Sequence, residues 1–285
     1  MMKLSFNTWV YSSFPVWVPS YPLSETIERI AAVGYDGIEI GAAAPHAYPD
    51  YLDTARRREI KQMLQTNGIA LSSMLPAPGG GPGFNVSSPM VEERIAAIDQ
   101  YKKVIQLCAE LGGKTVIYVA GWQIYGTTRG EAWEWSREAL RTLAPVARDV
   151  GITLVIEPTS ADSNLVDDCD DALQMMREVD EPNVKLMFDT YHVLYRNEVA
   201  SDYVYRFGKD LHHVHFADSN RLPPGEGKGD FLSVVQALHD IKYDGYIAME
   251  IGYDRRDSNP DAIARRAYKN VKEFLGAIER NGRSS

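Results

Sequence analysis

Short apolar runs recur along the chain, each followed by a longer stretch whose apolar positions repeat at helical spacing. Residues 4–10 alternate and predict a first strand, followed by an aromatic, proline-rich loop. Ser24 then predicts a helix cap ahead of Ile27, Ile30 and Ala31, with Gly34 as the stop. A second strand over 36–40, a basic helix over 54–66 closed by Asn67-Gly68 and a third strand over 69–75 follow. Ser88-Pro89 predicts the start of the longest helix, with Val91, Ile95, Ile98, Ile105 and Leu111 as its apolar stripe and Gly112-Gly113 as its end. Residues 114–119 give the fourth strand.

The second half repeats the alternation. Strands close at Glu157, Asp189, His215 and Glu250, and helices are predicted over 170–179, 201–207 and 231–241. Asn259-Pro260 caps a last helix with Ile263, Ala267, Val271, Phe274 and Ile278 on one face. Strand and helix alternate eight times with no antiparallel signal. That pattern predicts an α/β protein, a (β/α)8 barrel forming a single domain over residues 1–285. A doubly wound open sheet is the competing architecture, but no GxGxxG turn follows the first strand.

Composition narrows the function classes. The 285 residues are 45% hydrophobic and 24% charged, with a net charge of −9, a globular profile without the basic footprint of a nucleic-acid binder. The start of the chain has no apolar leader, and no apolar run reaches membrane length. The two cysteines, Cys108 and Cys169, form no CxxC motif. A reducing compartment is the simpler reading, so the expected location is the cytoplasm.

Chemistry enters at the strand ends. A buried strand tolerates a charge only when that charge is paired or bound to a metal, and the C-terminal mouth of a barrel is where such residues act. Closing the sheet would bring Glu157, Asp189, His215 and Glu250 together. Three carboxylates and one imidazole suit one divalent ion, with Mn²⁺ expected ahead of Co²⁺ or Mg²⁺. Such an ion, gripping adjacent hydroxyl and carbonyl oxygens, acidifies the intervening C–H by stabilising an enediolate. Glu157 and Glu250 on opposite sides would then make an epimerase, and one glutamate alone an aldose–ketose isomerase.

His192 and Arg221 follow two of these strand ends and could reach a substrate oxygen; by spacing alone each reads equally well as a surface residue. Glu226, in the Pro-Pro-Gly-Glu-Gly-Lys-Gly loop over 223–229, could fold over the mouth. Glu39 and His46 are candidate substrate contacts or supports for the ligands, and Trp122 could stack on a sugar ring. His212, His213 and His239 read as structural. Gly79-Gly80-Gly81-Pro82-Gly83 lacks the Lys-Ser/Thr of a phosphate loop and reads as a plain loop near the mouth.

The pieces Gly34-Tyr35-Asp36-Gly37-Ile38-Glu39-Ile40, Ile156-Glu157-Pro158, Phe188-Asp189-Thr190-Tyr191-His192, the run 213–219, Pro224-Gly225-Glu226-Gly227 and Met249-Glu250 occur in an order spanning almost the whole chain. Together they resemble the xylose-isomerase-like barrels, and among them the ketose 3-epimerases. The resemblance implies that Glu157, Asp189, His215 and Glu250 hold Mn²⁺ or a similar ion and that Glu157 and Glu250 exchange protons with C3 of a ketose. It also implies that His192 and Arg221 hold the oxygen at the carbonyl carbon, and that the chain acts on a small sugar as a homodimer or homotetramer. Pro45-His46 and the Pro-Gly-Glu-Gly-Lys loop resemble the fructoselysine branch, whereas His192 matches the tagatose and psicose branch.

One departure stands out: tagatose-type enzymes carry a further glutamate where this chain has residues 159–164, Thr-Ser-Ala-Asp-Ser-Asn. A lyase subunit cleaving 3-oxo-glycosides by the same enolate chemistry, within a hetero-oligomer, is therefore the alternative. A non-catalytic sugar-binding barrel is a third reading. The three-zinc DNA-repair nucleases that resemble this fold would need more histidines than the six present, and a basic face.

Overall fold

Eight strands pair in sequence order, all parallel, and the eighth returns to the first. They are β1 (Lys3–Asn7), β2 (Gly37–Ala42), β3 (Ala70–Pro76), β4 (Thr115–Val119), β5 (Thr153–Glu157), β6 (Val184–Asp189), β7 (Leu211–Phe216) and β8 (Tyr246–Met249). In this computed structural model, residues 2–12, 19–76, 83–253, 255 and 257–282 are described. The strands are buried nearly throughout, as a parallel sheet covered on both faces requires. The helices around them are α1 (Leu23–Val33), α2 (Thr54–Thr66), α3 (Val91–Leu111), α4 (Arg129–Asp149), α5 (Cys169–Val179), α6 (Thr190–Tyr195), α7 (Ala200–Phe207), α8 (Phe231–Asp240) and α9 (Pro260–Gly282).

The main core lies between strands and helices, and a smaller cluster of Leu75, Ile117, Val119, Val155 and Met187 packs separately from it. Buried polar side chains, among them Asn7, Glu39, Ser73, His213 and His215, link β1, β2, β3 and β7. Both cysteines are buried and unbridged. Among the described residues, no helix is long and apolar enough to cross a membrane.

Several boundaries differ from the sequence reading. The first strand stops at Asn7 because its side chain accepts the Trp9 N–H at 2.7 Å and turns the chain into a 3₁₀ turn over Thr8–Tyr11. Helix α1 begins after Pro22, so Ser24 lies inside it rather than capping it. Helix α3 begins after Met90, whose N–H is accepted by Ser88 Oγ at 3.1 Å, leaving Pro89 outside. Its first apolar residues, Val91 and Ile95, face solvent, and α9 is the longer helix. The short helix α6 was not predicted, being too brief to show a helical period; Asp189 caps it by accepting the Tyr191 N–H at 2.8 Å. Asn259 does cap α9, accepting from the N–H groups of Asp261 and Ala262. Of the glycine-rich run 79–83, residues 79–82 lie outside the described residues.

Candidate metal centre and active site

The ends of four neighbouring strands build the site. β5 ends in Glu157, β6 in Asp189, β7 carries His215 one residue before its end, and Glu250 directly follows β8. One potential ligand atom from each lies within 4.8 Å of every other, and all four residues are buried. His215 Nδ1 stands 3.4 Å from Glu157 Oε1 and 3.3 Å from Glu250 Oε2. Neither His215 Nδ1 nor Glu157 Oε1 has a hydrogen-bond partner, although both are buried. Orphaned buried polar atoms converging with two further carboxylates are what a cation would satisfy. The donor set, three hard oxygen ligands and one imidazole, fits a divalent ion of the Mn²⁺, Co²⁺ or Mg²⁺ kind.

Arg221 enters the cluster from the loop after β7. Its Nη1 lies 2.7 Å from Asp189 Oδ2 and 2.5 Å from Glu250 Oε2, its Nη2 lies 3.0 Å from Asp162 Oδ2, and its guanidinium covers the Tyr191 ring. Four carboxylates beside one guanidinium separate the protonation behaviour of the group. Burial pushes Glu157 up, and burial with the Glu250 charge pushes Asp189 well up against the pull of Arg221. For Glu250 burial is outweighed by Arg221 and His215, which hold it down at about 2. His215 is raised well above an ordinary histidine because Glu39 and Glu250 overcome its burial. The two glutamates are therefore inequivalent in their affinity for a proton.

His192 is buried on α6, where burial depresses its pKa to about 3 and keeps the ring neutral. Its Nδ1 faces the Ala161 N–H at 3.2 Å, so it accepts there and the ring proton belongs on Nε2. That Nε2 points toward Asp162 at 3.6 Å. His192, Arg221, Glu157, Glu250 and Trp122 all line one cavity of about 760 Å³, together with Trp9, Tyr191, Tyr195 and Asp162.

Three of the sequence candidates lie elsewhere. Glu226 turns away from the mouth to Arg266 on α9 at 2.8 Å, because its loop is pinned from below. There the buried Asp218 carboxylate accepts N–H bonds from Ser219, Gly225, Gly227 and Gly229. A Cβ at Gly227 would come within 2.5 Å of that carboxylate, which explains the glycine. His46 is buried outside the cavity with Nε2 on the Tyr21 carbonyl at 3.0 Å. Glu39 also misses the cavity wall and sits beneath the ligands, 2.9 Å from His215 Nε2. Conversely, Asp162, Trp9, Tyr191 and Tyr195 line the cavity without having been singled out. For Asp162 a signal existed: it is an acidic residue in the loop directly after a strand ending in a ligand.

A family model described as "xylose isomerase-like TIM barrel" matches residues 27–274. The chain belongs to that family. Within the xylose isomerase-like barrels it is 27% identical over 265 residues to fructoselysine 3-epimerase of Shigella flexneri, covering 91% of this chain and 95% of that one. It is 31% identical over 235 residues to D-psicose 3-epimerase of Ruminiclostridium cellulolyticum, covering 79% and 76%. Among solved structures, a D-psicose 3-epimerase in the presence of D-fructose superposes with a TM-score of 0.84 at 22% identity, over 96% of this chain and 100% of that chain.

Proposed function

We propose that this xylose isomerase-like barrel is a divalent-metal-dependent epimerase acting at C3 of a ketose or ketose derivative. The observation that carries the reading is the pair Glu157 and Glu250, facing His215 Nδ1 from β5 and from the end of β8 at the floor of the cavity. Glu157, Asp189, His215 and Glu250 would hold the ion, which when bound supplies Lewis-acid polarisation of adjacent substrate oxygens. The remaining work belongs to side chains. One glutamate takes the C3 proton from one face while the electron pair moves into the neighbouring carbonyl. The other glutamate returns a proton to the opposite face of C3, and the carbonyl re-forms. Neutral His192, with its proton on Nε2, donates to a substrate oxygen, and Arg221 offers fixed positive charge to the same region. The epimerase relatives named above support the reaction class.

The cavity also supports a substrate larger than a free ketose. Its volume of about 760 Å³ lies in the upper part of the roughly 300–1,000 Å³ found for pockets that take drug-sized ligands. Trp9, Trp122, Tyr191 and Tyr195 on its wall suit a ketose carrying a substituent.

Proton NMR in D₂O, with a panel of free and substituted ketoses and 3-oxo-glycosides, tests the reaction. Deuterium at C3 with formation of the epimer is expected, and Glu157→Gln and Glu250→Gln should each lower kcat by about 10²- to 10⁴-fold. Release of an aglycone would assign the lyase chemistry instead. Undiminished turnover after the metal has been stripped would overturn the reading.

A further inference from the structure

Below the ligand cluster lies a second, wholly buried group: Glu39 with Asn7, Ser73 and His213. Glu39 Oε1 accepts from Asn7 Nδ2 at 2.6 Å. Its Oε2 accepts from Ser73 Oγ at 2.5 Å, from His215 Nε2 at 2.9 Å and from His213 Nε2 at 3.0 Å. Glu39, His213 and His215 could in principle hold an ion of their own. Hydrogen bonding argues otherwise: both Glu39 oxygens already accept, and a cation there would have to displace the protons of three donors. The group is a hydrogen-bonded hub beneath the ligands, formed by β1, β2, β3 and β7.

We propose that Glu39 is a positioning residue for the metal centre: it takes the Nε2–H of His215 and so leaves Nδ1, facing Glu157 and Glu250, as the ring position that gives up its proton when an ion binds. An ionised carboxylate only accepts, so each nitrogen bonded to it must carry the proton. The Nε2 proton consumes one of the two ring positions, and Nδ1 becomes the ligand atom. Asn7 on Oε1 and Ser73 on Oε2, beside the histidines, keep the carboxylate from rotating away. Asn7 is itself held, since its Oδ1 accepts the Trp9 N–H at 2.7 Å, and Trp9 lines the cavity. Four donors converge on Glu39, and a glutamine in its place would present one oxygen and two extra donors to them.

The inference rests on the metal-site reading above. Titration of the whole protein with Mn²⁺, following the free aqua ion by EPR, separates the two. One bound ion is expected in the wild type, with affinity reduced about 10- to 100-fold in Glu39→Gln. The KM for sugar at saturating Mn²⁺ should stay unchanged. A wild type that binds no ion would remove the metal-site reading itself. A wild type that binds one ion while Glu39→Gln binds it equally well would remove only the role of Glu39, and two ions per chain would do the same. Should Glu39→Gln fail to fold, ¹H–¹⁵N correlation of the Mg²⁺-saturated wild type decides. The His215 proton is expected on Nε2, in a slowly exchanging downfield position; a proton on Nδ1 overturns the proposal.

Discussion

A neutral histidine can accept on one ring nitrogen and donate on the other, and this protein fixes that choice at three buried rings. His192 accepts the Ala161 N–H on Nδ1 and His213 faces Glu39 with Nε2. His46 directs Nε2 to the Tyr21 carbonyl, while its Nδ1 is buried without a partner. The third case has a measurable consequence. Burial holds His46 down at about 4 against an ordinary value of 6.5. Between those values the unfolded chain carries a proton that the folded chain lacks, so stability rises with pH. The contribution is complete above pH 6.5 and is lost as pH falls toward 4. About 2 kcal/mol should disappear between pH 7 and pH 5 on this account. Urea denaturation of wild type and His46→Gln at both pH values checks it: the variant should lose less, and equal losses would contradict the assignment.

At the scale of elements, the loop after β7 decides where Arg221 can reach. Asn220 and Arg221 both have positive φ, 61° and 58°, which side-chain-bearing residues adopt only when neighbours hold them. The holding contacts are local: Arg221 N–H donates to the Asp218 carbonyl at 3.1 Å, and Gly252 N–H donates to the Arg221 carbonyl at 2.8 Å. The Asp218 carboxylate meanwhile gathers four backbone N–H groups. Replacing it by alanine should cost about 2–4 kcal/mol, since the orphaned donors are only partly recovered by water. It should also lower kcat through the displaced guanidinium, with Asp218→Asn intermediate in both. Unchanged kinetics in a destabilised Asp218→Ala would show that the loop does not position Arg221.

This loop also shows why sequence reading succeeds at some elements and not at others. Strand ends are legible, because an apolar run that stops in Glu, Asp or His has few reasons to do so. The four residues that converge at the barrel mouth could therefore be named from the chain alone. The direction of Glu226 was not legible: it depends on Asp218, which looks like an ordinary polar residue until its carboxylate is seen beneath three glycine N–H groups. Asp162 offered only its place after β5 as a signal, and its partner becomes visible when Arg221 arrives from a different loop.

For the whole molecule, the position of the four converging residues matters as much as their identity. Residues 157, 189, 215 and 250 sit at the ends of four successive strands, so an ion would tie together half the circumference of the barrel at one rim. Without it, three buried carboxylates are offset by Arg221 and by the raised proton affinity of His215, an arrangement that leaves Glu157 Oε1 unpartnered. The unfolded chain scatters these ligands and binds the ion far more weakly, so the cation should stabilise the fold by mass action. At a hundredfold excess over Kd the gain is about 2.7 kcal/mol. With each kcal/mol worth about 2–4 °C in domains of this general size, Tm should rise by roughly 5–10 °C. Calorimetric melting with EDTA and then with excess Mn²⁺, Co²⁺ or Mg²⁺ measures it. Glu157→Gln and Asp189→Asn should each abolish most of the increment while shifting the metal-free Tm far less. A Tm that ignores all three cations would mean that the four strand ends converge for their own electrostatic reasons, and the proposed chemistry would lose its centre.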